Sequence, residues 1–169
     1  EPVVLLAAAE HYQLHAEYPR SRELLDRILE TDSENVAALE RLCDVLASEG
    51  SLELAAVIEQ LLAIDGGNAR ALFHQATVLQ YQNRFDEAIK VIGRSIETDP
   101  GNMRARNLLA ILYSNTFQYE RAEAEFLQAL EADPSDSISY SNYGLFLLNR
   151  GRYGEAIAQY ERAIDIDPE

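Results

Sequence analysis

An all-α fold, built as a solenoid of antiparallel helix pairs, is predicted by three features of the sequence. The segment TDPGN at residues 98–102 returns as ADPSD at 132–136 and as IDPE at 166–169, which places Asp99, Asp133 and Asp167 at intervals of 34 residues. Fainter copies, IDGGN around Asp65 and TDSEN around Asp32, carry the echo back toward the start. Between these signals the apolar residues keep the i, i+3, i+4, i+7 spacing of one helical face, and helical patterning with a period of this length marks a repeat architecture.

The second helix of each unit is the clearest. Phe85, Ala88, Ile89, Ile92 and Ile96 mark one, Tyr119, Ala122, Phe126, Ala129 and Leu130 the next, and Tyr153, Ala156, Ile157, Tyr160, Ala163 and Ile164 the last. Tyr140, Tyr143, Gly144 and Leu147 mark the first helix of the last unit, and NRGRY at 149–153 puts a glycine where that helix ends and the chain turns. Pro100, Pro134 and Pro168 cannot continue a helix and disfavour helical geometry in the aspartate before them, so each closes a second helix. Asn102 and Asp136, two residues later, are placed to cap the following first helix, as Asn35 and Asn68 are upstream. The recurring segment is a stop followed by a start.

Composition narrows the function classes. With 47% hydrophobic and 25% charged residues in 169, the chain is of ordinary folded type. Its 29 acidic and 14 basic residues give a net charge of -15, which repels phosphate backbones and anionic membrane surfaces, so no nucleic-acid partner is expected. Lys90 is the sole lysine among the basic residues, read as base-composition bias of a GC-rich, bacterial genome. The single cysteine, Cys43, excludes an internal disulfide and any multi-cysteine zinc site. VVLLAAA at 3–9 falls short of the roughly 20 apolar residues of a bilayer span, and no basic segment precedes it, so no direct membrane insertion is expected. The compartment stays open between cytoplasm and periplasm. Because the chain opens at Glu1 without Met, it is expected to be a piece of a longer protein.

Small residues recurring in register make the chain similar to the tetratricopeptide repeat (TPR) family. Ala9, Cys43, Ala76, Ala110 and Gly144 occupy the family's small site in the first helix, and Ser21, Ala55, Ala88, Ala122 and Ala156 the small site early in the second. Tyr18, Leu52, Phe85, Tyr119 and Tyr153 match the aromatic that opens the second helix, with leucine as a departure. The resemblance covers almost the whole chain and implies a single right-handed superhelical domain over 1–169, with units at 2–35, 36–68, 69–102, 103–136 and 137–169. The second unit is one residue short, and the deletion is placed between Ala55 and Ile58. Arg106 stands where the family prefers a large apolar residue, as at Leu5, Leu39, Leu72 and Tyr140.

Stacked helix pairs line a concave face with their first helices, and such faces suit extended peptides or partner helices. By the family pattern the groove is expected to present Leu6, Glu10 and Gln13, then Glu40, Asp44 and Ala47, then Arg70, Phe73, Thr77 and Gln80. It continues with Arg104, Asn107, Ile111 and Ser114, and ends with Ile138, Ser141, Asn142, Leu145 and Leu148. Residues 1–35 and 36–68 each carry -5 and residues 69–102 are neutral, so the groove is expected to run from acidic through an arginine-bearing middle to apolar. Arg70 and Arg104 would take a carboxylate, unless they serve local helix pairs instead.

Two specialised TPR patterns are missing. Glu40, Asp44 and Thr77 occupy places where a carboxylate-binding clamp wants lysine or asparagine, and Lys90 lies in a second helix. Asn142 matches an asparagine ladder that holds peptide backbone in members attached to glycosyltransferases, whereas Arg41, His74 and Leu108 do not.

No cofactor, metal or catalytic residue is expected. His11 and His15 share a face beside Glu10 without a third ligand, His74 is a lone groove histidine, and Cys43 fills a small buried site. The expected function is a non-catalytic adaptor or assembly scaffold that binds a protein or peptide. The alternatives are a docking appendage of an enzyme whose catalytic domain lies elsewhere, or a self-assembling scaffold. For the last, Ile157, Tyr160 and Ile164 on the final helix are expected to stack copies end to end.

Overall fold

Each aspartate of the recurring segment closes a helix. In the computed structural model, which describes residues 2–168, Asp32, Asp65, Asp99, Asp133 and Asp167 all leave helical geometry. Their backbone N–H groups still donate to the carbonyls of Ile28, Leu61, Ser95, Ala129 and Ala163, which satisfies part of each helix end. Asp133 Oδ1 also accepts from Ser135 Oγ and Ser135 N, at 2.6 and 2.9 Å, and these bonds hold its carboxyl below the usual value. The starts are capped as expected. Ala38 N donates to Asn35 Oδ1, Ala71 N to Asn68 Oδ1, Ala105 N to Asn102 Oδ1, and Ile138 N and Ser139 N to the Asp136 carboxylate.

The described residues form ten helices and no strand. They fall in two compact units, Glu1–Val78 and Leu79–Glu169, the division lying within α5 (Ala69–Tyr81). The first unit holds α1 (Pro2–Leu14), α2 (Tyr18–Thr31), α3 (Val36–Glu49) and α4 (Leu54–Ile64). There α1 packs on α2 and α3, and α3 on α2 and α4. One apolar cluster centres on Ala9, Leu25, Ile28, Leu42 and Leu46, and another on Leu39, Cys43, Ile58, Leu61 and Ala71. The second unit holds α6 (Phe85–Thr98), α7 (Met103–Asn115), α8 (Tyr119–Ala132), α9 (Ser137–Asn149) and α10 (Tyr153–Ile166). There α7 packs on α6, α8 and α9, and α9 on α8 and α10. Its interior is aromatic, with Phe126 at ring-centroid distances of 5.6 Å from Tyr143 and 5.5 Å from Phe146.

Small residues sit where helices approach. Ala9, Cys43, Ala76, Ala110 and Gly144 are all buried, as are Ser21, Ala88, Ala122 and Ala156. Ser21 Oγ donates to Ala9 O at 2.8 Å, joining the two small sites of α1 and α2 directly.

The second unit of sequence, 36–68, departs from expectation. Leu52 is 98% exposed and Ala55 is exposed as well, so neither fills the aromatic or small site assigned to it. Counted back from Asp65, the position that Ser21 holds ahead of Asp32 belongs to Leu54. A one-residue deletion inside a helix would rotate everything beyond it by about 100°, turning the apolar face away from the core. The deletion is absorbed at the start of the helix, and α4 begins at Leu54 with 11 residues where α2 has 14.

The turn inside every helix pair uses one left-handed residue: Ala16, Gly50, Asn83, Phe117 and Gly151, with φ of 56, 64, 59, 61 and 74°. In each case the N–H of the next residue reaches back to a carbonyl of the preceding helix, as Gln118 N does to Tyr113 O at 2.8 Å. Glycine carries this geometry without cost, whereas Ala16 and Phe117 adopt it against their Cβ.

Arg106 also has a local explanation. Its guanidinium lies 3.2 Å from Glu125 Oε2 and donates to Gln128 Oε1 at 2.9 Å and to the Pro100 carbonyl. The half-buried side chain braces α7 against Glu125 and Gln128 of α8.

Candidate functional site

The sequence-predicted groove residues lie on odd-numbered helices, and in each compact unit a recess opens on those helices. In the first unit the walls are Glu10, Gln13 and Leu14 of α1, Arg41 and Asp44 of α3, and Arg70 of α5. Its charges are paired across helices. Arg41 Nη2 stands 2.8 Å from Glu10 Oε2, and Arg70 Nη1 stands 3.2 Å from Asp44 Oδ2. His74 is buried with Nε2 2.7 Å from Asp44 Oδ1, and because a carboxylate only accepts, that nitrogen carries the proton. Glu40 accepts from the buried Asn68 amide at 2.7 Å.

These pairs correct the expected acidic stretch. Glu10 is paired with Arg41, Glu40 with Asn68, and Asp44 with Arg70 and His74, so the three are partnered carboxylates rather than a row of free ones. Arg70 is paired across helices, from α5 to Asp44 of α3, and not with a near neighbour on its own helix, the local pairing that the sequence left open. Phe73 is half-buried and meets the His74 ring edge-on at 5.4 Å, and Thr77 Oγ1 donates to the Phe73 carbonyl within α5.

In the second unit the recess lies between α7 and α9. Its walls are Ile111, Ser114 and Asn115 on α7 and Asn142, Leu145 and Asn149 on α9, with Phe126 and Phe146 as its floor. The recess measures about 130 Å³. Leu145 is 51% exposed, and no lining side chain is ionisable. Asn142 and Ser141 are half-buried, and Arg104 is exposed on α7.

Asn107 departs from the expected groove surface. It is buried, and its amide donates to Ser139 Oγ, whose hydroxyl donates in turn to Asp136 Oδ2. The Asp136 carboxylate can only accept, which sets the direction of the chain and leaves Asn107 Oδ1 buried without a hydrogen-bond partner. Asn107 therefore ties α7 to the start of α9 instead of facing outward. On the last helix, Ile157 and Ile164 are 57% and 61% exposed. Tyr160 is half-buried, and its ring lies so close to Gly144 of α9 that a Cβ there would come within 3.1 Å.

Four residues lining the second recess escaped the sequence reading, Asn115, Asn149, Phe126 and Phe146, as did Leu14 and Arg41 in the first. Asn149 lies seven residues after Asn142, a helical same-face interval that was available, but it falls in the segment read as a turn. The two phenylalanines are core residues whose exposed edges only the packing reveals.

No group of three or more potential metal ligands occurs among the described residues, and no described helix is long and apolar enough to cross a membrane. Cys43 is buried, and burial pushes its thiol up to about 12.

The recurrences and the helix pairs meet in the comparisons with known proteins. A tetratricopeptide-repeat family profile matches residues 6–70 and 117–169, and a second profile of the same description matches residues 79–142. No curated protein matches the sequence. Among solved structures, TTC0263, a thermophilic TPR protein of Thermus thermophilus, is 18% identical with a TM-score of 0.87, over 100% of this chain and 93% of that one. PilW, a type IV pilus biogenesis factor, is 16% identical with a TM-score of 0.84, over 99% of this chain and 78% of its own. YrrB, described as a TPR protein with an unusual peptide-binding site, is 22% identical with a TM-score of 0.63, over 100% of this chain and 88% of its own. At these identities the structures share the fold, and the profiles, which together run through most of the sequence, carry the assignment: the chain belongs to the tetratricopeptide repeat family.

Proposed function

We propose that this chain acts as a protein-interaction adaptor or scaffold that holds an extended segment of a partner protein on its odd-numbered helices. The observation behind this reading is that in each unit a recess is walled by side chains of odd-numbered helices, α1, α3 and α5 in one and α7 and α9 in the other. A surface of that kind suits an extended chain, which meets successive helices with successive residues. The peptide-binding site named for YrrB supports the reading by analogy of fold.

Site-specific photo-crosslinking tests it. A benzophenone side chain at Leu148, exposed on α9, is expected to capture a partner in the source cell, and one at Leu127, exposed on α8, is not. Equal capture at both positions would overturn the assignment to the odd helices.

A second reading has its own observation. The exposed Ile157 and Ile164 leave an apolar stripe on α10, which would stack copies end to end. Sedimentation at rising concentration tests it: an Ile157→Glu, Ile164→Glu variant lowers the mean mass if copies associate there, and a native chain monomeric at high concentration ends the idea.

A further inference from the structure

The recess between α7 and α9 combines an apolar floor with side-chain amides that are not engaged elsewhere. Asn115, Asn142 and Asn149 make no side-chain hydrogen bond among the described residues, although each carries two donors and an acceptor. Asn142 and Asn149 stand seven residues apart on α9, about 10 Å along the helix. That interval matches about three residues of extended chain at roughly 3.3 Å each. Between the two amides lie Leu145 and Phe146, the apolar part of the site.

The size and charge of the recess restrict what enters it. At about 130 Å³ it is close to the cavities of about 150 Å³ that hold a benzene ring, so it matches one aromatic or branched aliphatic group. A charged side chain placed there would lose water without meeting an opposite charge, because no lining residue is ionisable. The net charge of -15 repels acidic segments at longer range.

We propose that this recess anchors one large uncharged side chain, aliphatic or aromatic, of an extended uncharged peptide segment whose backbone is paired by the amides on either side. The assignment rests on the reading of the odd-numbered helices as the partner-binding face, and it adds the class of ligand and the residues that select it. Leu145 and Ile111 grip the anchor, while Asn142 and Asn149 take the backbone N–H and C=O groups of its neighbours.

The test uses the full chain and a set of N-acetylated, C-amidated nonapeptides of glycine and serine whose central residue is each of the twenty amino acids. Binding is followed by shifts of backbone and asparagine side-chain amide resonances at peptide concentrations up to the millimolar range. Central Leu, Ile, Met or Phe is expected to bind at least tenfold more tightly than central Ala, Asp or Lys, with the Asn142 and Asn149 side-chain resonances moving. Leu145→Lys is expected to weaken this binding at least tenfold, and Leu127→Lys, on exposed α8 surface, to leave it unchanged. Both changes are at exposed positions, and matched unfolding curves confirm the fold. Preference for a charged centre, insensitivity to Leu145→Lys, or no binding by any member overturns the anchor assignment. The Leu148 cross-link separates the two levels: if it persists the binding face stands and only the ligand class fails, and if it is absent the face itself fails.

Discussion

Arg70 Nη1 stands 3.2 Å from Asp44 Oδ2, so the guanidinium of α5 is tied to α3. The other oxygen of the same carboxylate holds the buried His74. Asp44 is thus the shared partner, and the cost of losing each member differs. Asp44→Ala strands a buried imidazole and is expected to cost about 2 kcal/mol, whereas Arg70→Ala removes a partly exposed ion pair and costs below about 1 kcal/mol. Urea unfolding of both variants at low and high salt checks this, with the Arg70 effect shrinking as salt rises. Equal costs would place the weight on the ion pair instead of the histidine contact.

Asn68 and Asn102 both cap helices, but Asn68 has a second task. Its Oδ1 accepts from Ala71 N and its Nδ2 donates to Glu40, while Asn102 makes the cap alone among the side-chain bonds found. Asn102→Ala is therefore expected to cost about 1 kcal/mol and Asn68→Ala about 2, read from denaturation midpoints at unchanged slope.

Cys43 offers a probe of local opening. Its thiol is buried and pushed up to about 12, so at pH 8 it stays protonated and shielded in the folded chain. A disulfide-exchange reagent is expected to leave the native protein unmodified over minutes and to react at once in denaturant. The slow native rate then reports opening of the cluster that Cys43 shares with Leu39, Ile58 and Leu61. Rapid reaction without denaturant would contradict the packing.

Phe117 holds a left-handed backbone, with φ of 61°, while its side chain is largely exposed. Relief of that strain by Phe117→Gly is expected to raise stability by about 1 kcal/mol, and Phe117→Val to lower it, since a β-branched residue fits the turn least well. Calorimetric melting temperatures of the two variants decide the sign.

Much of the architecture was legible because it is written in local chemistry. Prolines that cannot continue a helix, asparagines that cap one, and small residues spaced for close crossing act within a few residues of themselves. Leu52 and Ala55 were misplaced for a related reason. A period can be counted in sequence, but whether a deletion is absorbed within a helix or at its start depends on which choice keeps Ile58 and Leu61 in the core.

The candidate site was legible only in outline. The spacing of Asp44, Arg70, Ile111, Asn142 and Leu145 placed them on first helices, and all of them line recesses. It did not tell that Glu10 would meet Arg41, that Glu40 would meet Asn68, or that Asn107 would turn inward to Ser139. Those outcomes depend on residues about 30 positions apart. By itself the sequence determined the helix pairs, their stops and starts, and the family, because each signal acts along the chain. Only the tertiary structure decided which charges neutralise one another and which amides stay available, because a side chain's partner is set by what the neighbouring helix brings within hydrogen-bond reach.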